Sequence, residues 1–235
     1  MDATLALAFE ATWPAAEYAD AGGFRLGHTP GAGGRVNSAR ATGPWSQGDI
    51  DAAIDLFRGW NQPAVFRVMD DNTDLRAALE ARGFAPSTPT AIMTCAADRL
   101  TDQPIPTITT FAVWPPLAIQ RDIWAAGSIN PARQAVMDAV PAPRASVLGR
   151  IKDRAAGAAF VAIHGDVAMV HAVEILPDWR RLGLAGWMMR QAAFWAVDQG
   201  AARIGLAVSR QNDAAMALYQ HLGFSEVAGY GYYQQ

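Results

Sequence analysis

Pro177-Asp178-Trp179-Arg180-Arg181-Leu182-Gly183-Leu184-Ala185-Gly186 is the stretch from which the rest of the chain is read. The apolar run 167–175 leads into it and predicts a buried strand. The pattern over 187–197 leads out of it and predicts a helix. Strand, short glycine-bearing turn and helix make an anion site. The turn leaves backbone N–H groups free, and the helix directs its positive end at them. Successive free N–H groups form a concave nest that fits a phosphate or pyrophosphate. Gly183 permits the tight backbone, Ala185 and Gly186 keep the helix start free of bulk, and Arg180 and Arg181 add positive charge.

The spacing is not that of a dinucleotide-binding G-x-G-x-x-G turn, and no Gly-Lys-Ser/Thr of a P-loop follows. Arg180-Arg181-Leu182-Gly183-Leu184-Ala185 instead resembles the Arg/Gln-x-x-Gly-x-Gly/Ala signature of the GNAT N-acetyltransferase superfamily. A second stretch, Asn212-Asp213-Ala214-Ala215-Met216-Ala217-Leu218-Tyr219-Gln220-His221-Leu222-Gly223-Phe224, resembles that family's Asn-x-x-Ala-x-x-Leu-Tyr-x-x-x-Gly-Phe motif at every named position. Its residue types also make physical sense. Asn212 is a helix cap, Ala215, Leu218 and Leu222 repeat at helical spacing, and Gly223 is a left-handed C-cap before a strand that begins at Phe224.

The chain has 235 residues, 51% of them hydrophobic, so one large or two small domains can bury a substantial core. A net charge of -3 does not suggest a nucleic-acid partner. The lone Cys95 excludes an internal disulfide and a cysteine-based metal site and fits a reducing cytoplasm, so no metal is expected. Asp2 and Glu10, with no basic leader, give no secretory signal, and no apolar run reaches the length of a membrane span.

In chain order, the pattern predicts a helix over 4–19 interrupted at Pro14, strands over 22–28 and 35–40, and a plain loop at 30–34. A helix to Trp60 capped by Ser46 or Asp49, a strand over 65–69, a helix from Asn72 or Thr73 to Arg82 and a strand over 91–95 follow. The Pro- and Thr-rich segment 100–110 is a linker or extended crossover. Beyond it come helices over 116–126 and from Pro131, strands over 145–151, 156–163 and 167–175, the phosphate turn with its helix, a strand over 203–208, the Asn212 helix and a last strand over 224–233. This is the GNAT element order. The fold class is therefore α/β (α+β), a mixed, mostly antiparallel central sheet flanked by helices.

The two halves also repeat. A shift of 140 positions brings Asn72, Gly83 and Phe84 onto Asn212, Gly223 and Phe224, and Arg40 and Gly43 onto Arg180 and Gly183. The chemistry is missing from the first copy. Pro44 removes a donor N–H, Trp45 replaces Ala185 and Leu79 replaces Tyr219. The expected organisation is a truncated GNAT-like lobe without a cofactor site over 1–99, a linker over 100–110 and a catalytic domain over 111–235. The first lobe is expected to cover one side of the acceptor cleft, with Trp45, Trp60 and Arg67 as candidates to shape it.

The resemblance implies an acetyl-CoA-dependent N-acetyltransferase in which a primary amine attacks the thioester directly. Backbone N–H groups at Val173, Glu174 and Ile175 would bind the thioester carbonyl and pantetheine amides. Arg180, Arg181, Gly183, Leu184, Ala185 and Gly186 would hold the pyrophosphate, Asn212 would contact the pantetheine arm, and Tyr219 would bind beside the thioester and protonate the departing sulfur. The general base is Glu174 or His171. Strict alternation places these two on opposite faces of their strand, but the strand often bulges in this family. His221 is expected at the surface. The acceptor is a small-molecule amine or a protein amino group, with no nucleic-acid or membrane partner, and the protein acts as a cytoplasmic monomer or homodimer. A non-catalytic acyl-CoA-binding or sensing protein and a transferase of a longer acyl group are the alternatives.

Overall fold

The structure, a computed structural model, describes residues 1–141 and 143–235. Its elements are α1 (Ala3–Ala11), β1 (Glu17–Ala21), β2 (Phe24–His28), β3 (Ala39–Ala41), α2 (Gln47–Gly59), β4 (Val65–Met69), α3 (Thr73–Glu80) and β5 (Ala85–Ala96). The second half adds β6 (Thr110–Val113), α4 (Ala118–Ala126), α5 (Pro131–Ala139), β7 (Arg144–Ile151), β8 (Arg154–His164) and β9 (Val167–Ile175). It closes with α6 (Leu184–Asp198), β10 (Arg203–Ser209), α7 (Asp213–His221) and β11 (Ser225–Gln234). All strands join one 11-stranded sheet in the order β1-β2-β3-β4-β11-β5-β10-β9-β8-β7-β6. Only β3 with β4 and β9 with β10 run parallel.

Three sequence expectations shift. The N-terminal helix stops at Ala11, and the chain beyond Pro14 pairs as β1 with β2, where the ring of Pro14 bars further helix. The segment 35–40 begins in a short 3-10 turn, Gly34–Val36, and β3 spans only Ala39–Ala41. The crossover after Leu100 ends in a short edge strand, β6, paired with β7.

The 140-residue repeat is a geometric one. Asn72 accepts a hydrogen bond from the Leu75 N–H and Asn212 from the Ala215 N–H, both at 3.2 Å. Gly83 and Gly223 take φ of 84° and 90°, the left-handed values a C-terminal glycine supplies without a Cβ penalty. Met69 pairs with Tyr230, and Ser209, its counterpart, pairs with Thr90, the counterpart of Tyr230. The Asp70 N–H donates to Gly229 O at 2.9 Å and the Arg210 N–H to Pro89 O at 2.8 Å, the same bond with the halves exchanged. Asp70 and Arg210 then pair with each other at 2.6 Å. The halves thus trade a strand. β5 lies between β10 and β11, and β11 lies between β4 and β5.

One apolar cluster lies between α6 and one face of β7–β10, and another packs α4 and α5 on the opposite face through Trp124, Phe160 and Ala162. The first half has its own centre around Phe24, Phe57 and Phe66. Leu5 and Phe9 of α1 pack on Ile92, Met169 and Tyr230, so this helix bridges both halves. Among the described residues, no helix is long and apolar enough to cross a membrane.

Candidate active site

β9 and β10 pair only from Arg203 with Val167 to Leu206 with Val170, and then part. Beyond that point the β10-facing edge of β9 has lost its ladder partner, and its backbone groups are left for another partner. Ala172 takes φ of 51°, and the register with β8 slips between the pairs Ala158–Glu174 and Phe160–His171. This bulge changes the faces of the strand. Val173 and Ile175 pack with the α6 cluster, whereas Ala172 and Leu176 pack with the α4–α5 cluster. His171 lies 5.1 Å from Trp13 and 6.2 Å from Phe160, ring centre to ring centre, and Glu174 reaches the turn after α4, where a Cβ on Gly127 would overlap its Oε2. The two candidate bases, which strict alternation separates, therefore share the face opposite α6.

At the end of β9 the chain enters the turn 180–186. Arg181 and Gly183 take φ of 63° and 80°, and Gly183 is the N-cap of α6. No side chain caps this helix, so the N–H groups of its first turn are left for an anion. A Cβ on Gly183 would meet nothing within 4 Å, so the approach to the turn is open. Arg180 does not point freely at that space. Its Nε–H donates to Ile175 O at 2.9 Å, and its Nη2 donates to Glu174 Oε1 at 3.1 Å, which ties the turn to the bulged strand. Arg181 is exposed, as are Asn212 and His221.

The same turn in the first half is closed. α2 begins at Gln47 rather than at the position equivalent to Leu184, and Ser46 caps it in a reciprocal capping box. Asp49 Oδ2 accepts from the Ser46 N–H at 2.9 Å and from the Gly23 N–H at 3.3 Å. A carboxylate of the protein already sits where an anionic ligand would bind, and those bonds hold its pKa below the usual carboxylate range.

Tyr219 lies on α7, whose Leu218 is neighbour to the turn 180–186; a Cβ on Gly186 would stand 3.9 Å from Leu218 Cδ1. Its ring is 7% exposed and meets Phe224 edge-on at 5.9 Å. Burial pushes the phenol up to about 12, so it is protonated at neutral pH.

A cleft of about 700 Å³ opens on the other side of the splay. Its walls include His171 and Ala172 of β9, Ala207 and Ser209 of β10, and, from the first half, Trp13 and residues 31–35. The glycine-rich loop, expected to be plain, thus lines this cleft. Asn130, the cap of α5, pins it by donating to Gly31 O at 2.9 Å. Its signal in the sequence was the run of glycines ending in Arg35, but nothing local told a binding wall from a turn. Trp45 and Trp60 pack instead in the first-half core, against Phe24 and His28, and Arg67 is buried on Glu10.

His171 is held in one tautomer. The Thr12 hydroxyl donates its only hydrogen to Ala8 O at 2.7 Å, so it accepts from His171 Nε2–H at 2.9 Å. Nδ1 then accepts from Arg35 Nη1 at 3.2 Å. Burial first, then the neighbouring guanidinium, hold its pKa well below the usual histidine value. The unfolded chain takes up this proton near pH 6.5 and the folded chain does not, so stability is kept above that pH and is lost as the pH falls below it, at up to about 1.4 kcal/mol per unit. Denaturant titrations across the acid range should show this slope in the wild type, and His171→Gln should reduce it; equal slopes would mean that His171 titrates normally.

The bulged, splayed strand pair and the open helix N-terminus at its base thus frame a cleft with an anion-accepting end. Residues 113–224, just under half of the chain, match the Acetyltransferase (GNAT) family. An aminoglycoside N(6')-acetyltransferase type 1 from Acinetobacter genomosp. 13 is 30% identical over 69 residues, which are 29% of this chain and 47% of that enzyme. The match thus spans about half the length of that relative. A GCN5-related N-acetyltransferase from Kribbella flavida superposes with a TM-score of 0.70 at 18% identity, over 94% of this chain and 90% of that one. A tandem GNAT protein from the clavulanic acid biosynthesis pathway gives 0.63 at 14% identity, over 90% and 78% of the two chains. These two likenesses are of fold, and both extend through the first half.

Proposed function

We propose that the protein is an acetyl-CoA-dependent N-acetyltransferase acting on the primary amine of a small molecule. The observation that carries this reading is the β9–β10 splay ending at an uncapped α6 N-terminus, with the neutral Tyr219 on the adjacent helix. The residues fit the cosubstrate: unpaired N–H groups at 184–186 beside a Gly183 with open space suit a pyrophosphate. When bound, acetyl-CoA supplies the acetyl group as a thioester. Backbone N–H groups of Val173, Glu174 and Ile175 orient its carbonyl and the pantetheine arm, and Asn212, whose Oδ1 caps α7, keeps its amide N–H for that arm. Glu174, steadied by Arg180, takes the proton of the incoming amine directly or through water. Tyr219 donates its proton to the leaving sulfur. His171, with both ring nitrogens engaged, holds Arg35 rather than serving as the base. The Acinetobacter relative's name supports a small-molecule amine as acceptor.

The division into a lobe at 1–99, a crossover at 100–110 and a catalytic domain at 111–235 is part of the proposal. The Asp49 carboxylate at the α2 N-terminus supports a first lobe without a cofactor site. Calorimetry should give one acetyl-CoA per chain, and CoA release should follow on addition of an accepted amine. Two sites per chain would overturn the division of labour. Binding with no release across a broad amine panel would favour a sensing role.

A further inference from the structure

The acceptor cleft has an unusual charge. Its walls carry Arg35, Arg133 and the neutral His171, and no acidic side chain lines it among the described residues. Neither arginine has a carboxylate partner there, whereas most other arginines of the chain do. Arg35 is stacked 3.7 Å from the Phe9 ring centre, and among the described residues only two of its five N–H donors are engaged, by Phe9 O and His171 Nδ1. Arg133 donates to Ser128 O at 3.0 Å. The Nε–H of each is buried without a partner. Glu10, the carboxylate whose charge acts on Arg35, is already taken by Arg40 and Arg67. One carboxylate among the guanidinium groups of Arg35, Arg40 and Arg67 leaves the region behind this wall of the cleft positive. The phosphate turn does not account for this charge, because it serves the α6 face, whereas Arg35 and His171 lie on the other.

Resting on the transferase reading above, we propose that the acceptor is an amine bearing a carboxylate, with Arg35 and Arg133 binding the anionic group while the amine reaches the β9–β10 splay. Both arginines flank the 31–34 loop, so one anion can engage the wall of the cleft that the first half supplies. A guanidinium matches a carboxylate or phosphate through paired N–H donors. A polycation such as an aminoglycoside would bring further ammonium groups into a cleft that offers them no carboxylate. The device in this cleft thus selects against the acceptor class named for the Acinetobacter relative.

The test pairs acceptors that differ only in charge. Acetyl-CoA binding is measured first by calorimetry. CoA release is then followed with amino acids, their carboxamides, aminoalkylphosphonates and an aminoglycoside. Amino acids should exceed their carboxamides at least about ten-fold in kcat/KM. Arg133→Gln should raise KM for the amino acids by a similar factor, leave kcat nearly unchanged and erase the preference, while Arg133→Lys retains part of it. Equal use of acids and amides, or fastest turnover of the aminoglycoside, would overturn the proposal; preference for phosphonates would overturn the carboxylate assignment. If acetyl-CoA fails to bind, the underlying transferase reading falls instead, and calorimetry of N-acetylated amino acids against their amides, on the protein alone, still decides the anion site.

Discussion

Gly183→Asp is expected to weaken acetyl-CoA binding by at least about a hundred-fold. The residue caps α6 with φ of 80°, and the space where a Cβ would stand is empty, so the protein itself does not exclude a side chain there. Two costs follow. The left-handed backbone disfavours any residue with a Cβ by about 1 kcal/mol or more. The new carboxylate also stands at the helix N-terminus beside the pyrophosphate, where two like charges about 4 Å apart repel by about 4 kcal/mol near a protein surface. Gly183→Asn separates the two, since asparagine tolerates this backbone and carries no charge. It should lose only a small part of the affinity. Calorimetry on the three proteins measures this, and equal affinity for wild type and Gly183→Asp would sink the placement of the pyrophosphate on this turn.

Tyr219→Phe should lower turnover about a hundred-fold while acetyl-CoA affinity stays nearly intact. The substitution keeps the ring and its edge contact with Phe224, and the hydroxyl makes no hydrogen bond to other described residues, so no partner is orphaned. With its phenol pushed up to about 12, the wild-type group is protonated at neutral pH, as the proposed general acid must be. Steady-state kinetics with an accepted amine, at a pH where the chemical step limits the rate, give the answer. Unchanged turnover there would make Tyr219 a packing residue only.

Much of this molecule was written locally. Asn72 and Asn212 cap helices through hydrogen bonds to a residue three positions on, and Gly83 and Gly223 end them through a backbone angle that only short-range sterics impose. For that reason the repeat, the bounds of β4 and β9, and the glycine turn that starts α6 were legible before any contact was known. The failures were also local in origin. The local pattern makes Pro14 an interruption of one helix, whereas the residues beyond it are a strand, because their partner is β2 and not their own preceding turn.

By itself, then, the sequence determined the two motifs, the element order of the second half and the 140-residue repeat. Each of these rests on residues within a few positions of one another. The tertiary structure alone decided three other features. The bulge at Ala172 set His171 and Glu174 on one face, because the register slip depends on how β8 pairs. The traded strands put β5 between β10 and β11, because backbone pairing is blind to which half a strand comes from. The positive cleft gathered Arg35 and Arg133, 98 positions apart, because desolvation and the lack of a nearby carboxylate are properties of a place in space, which no stretch of chain contains.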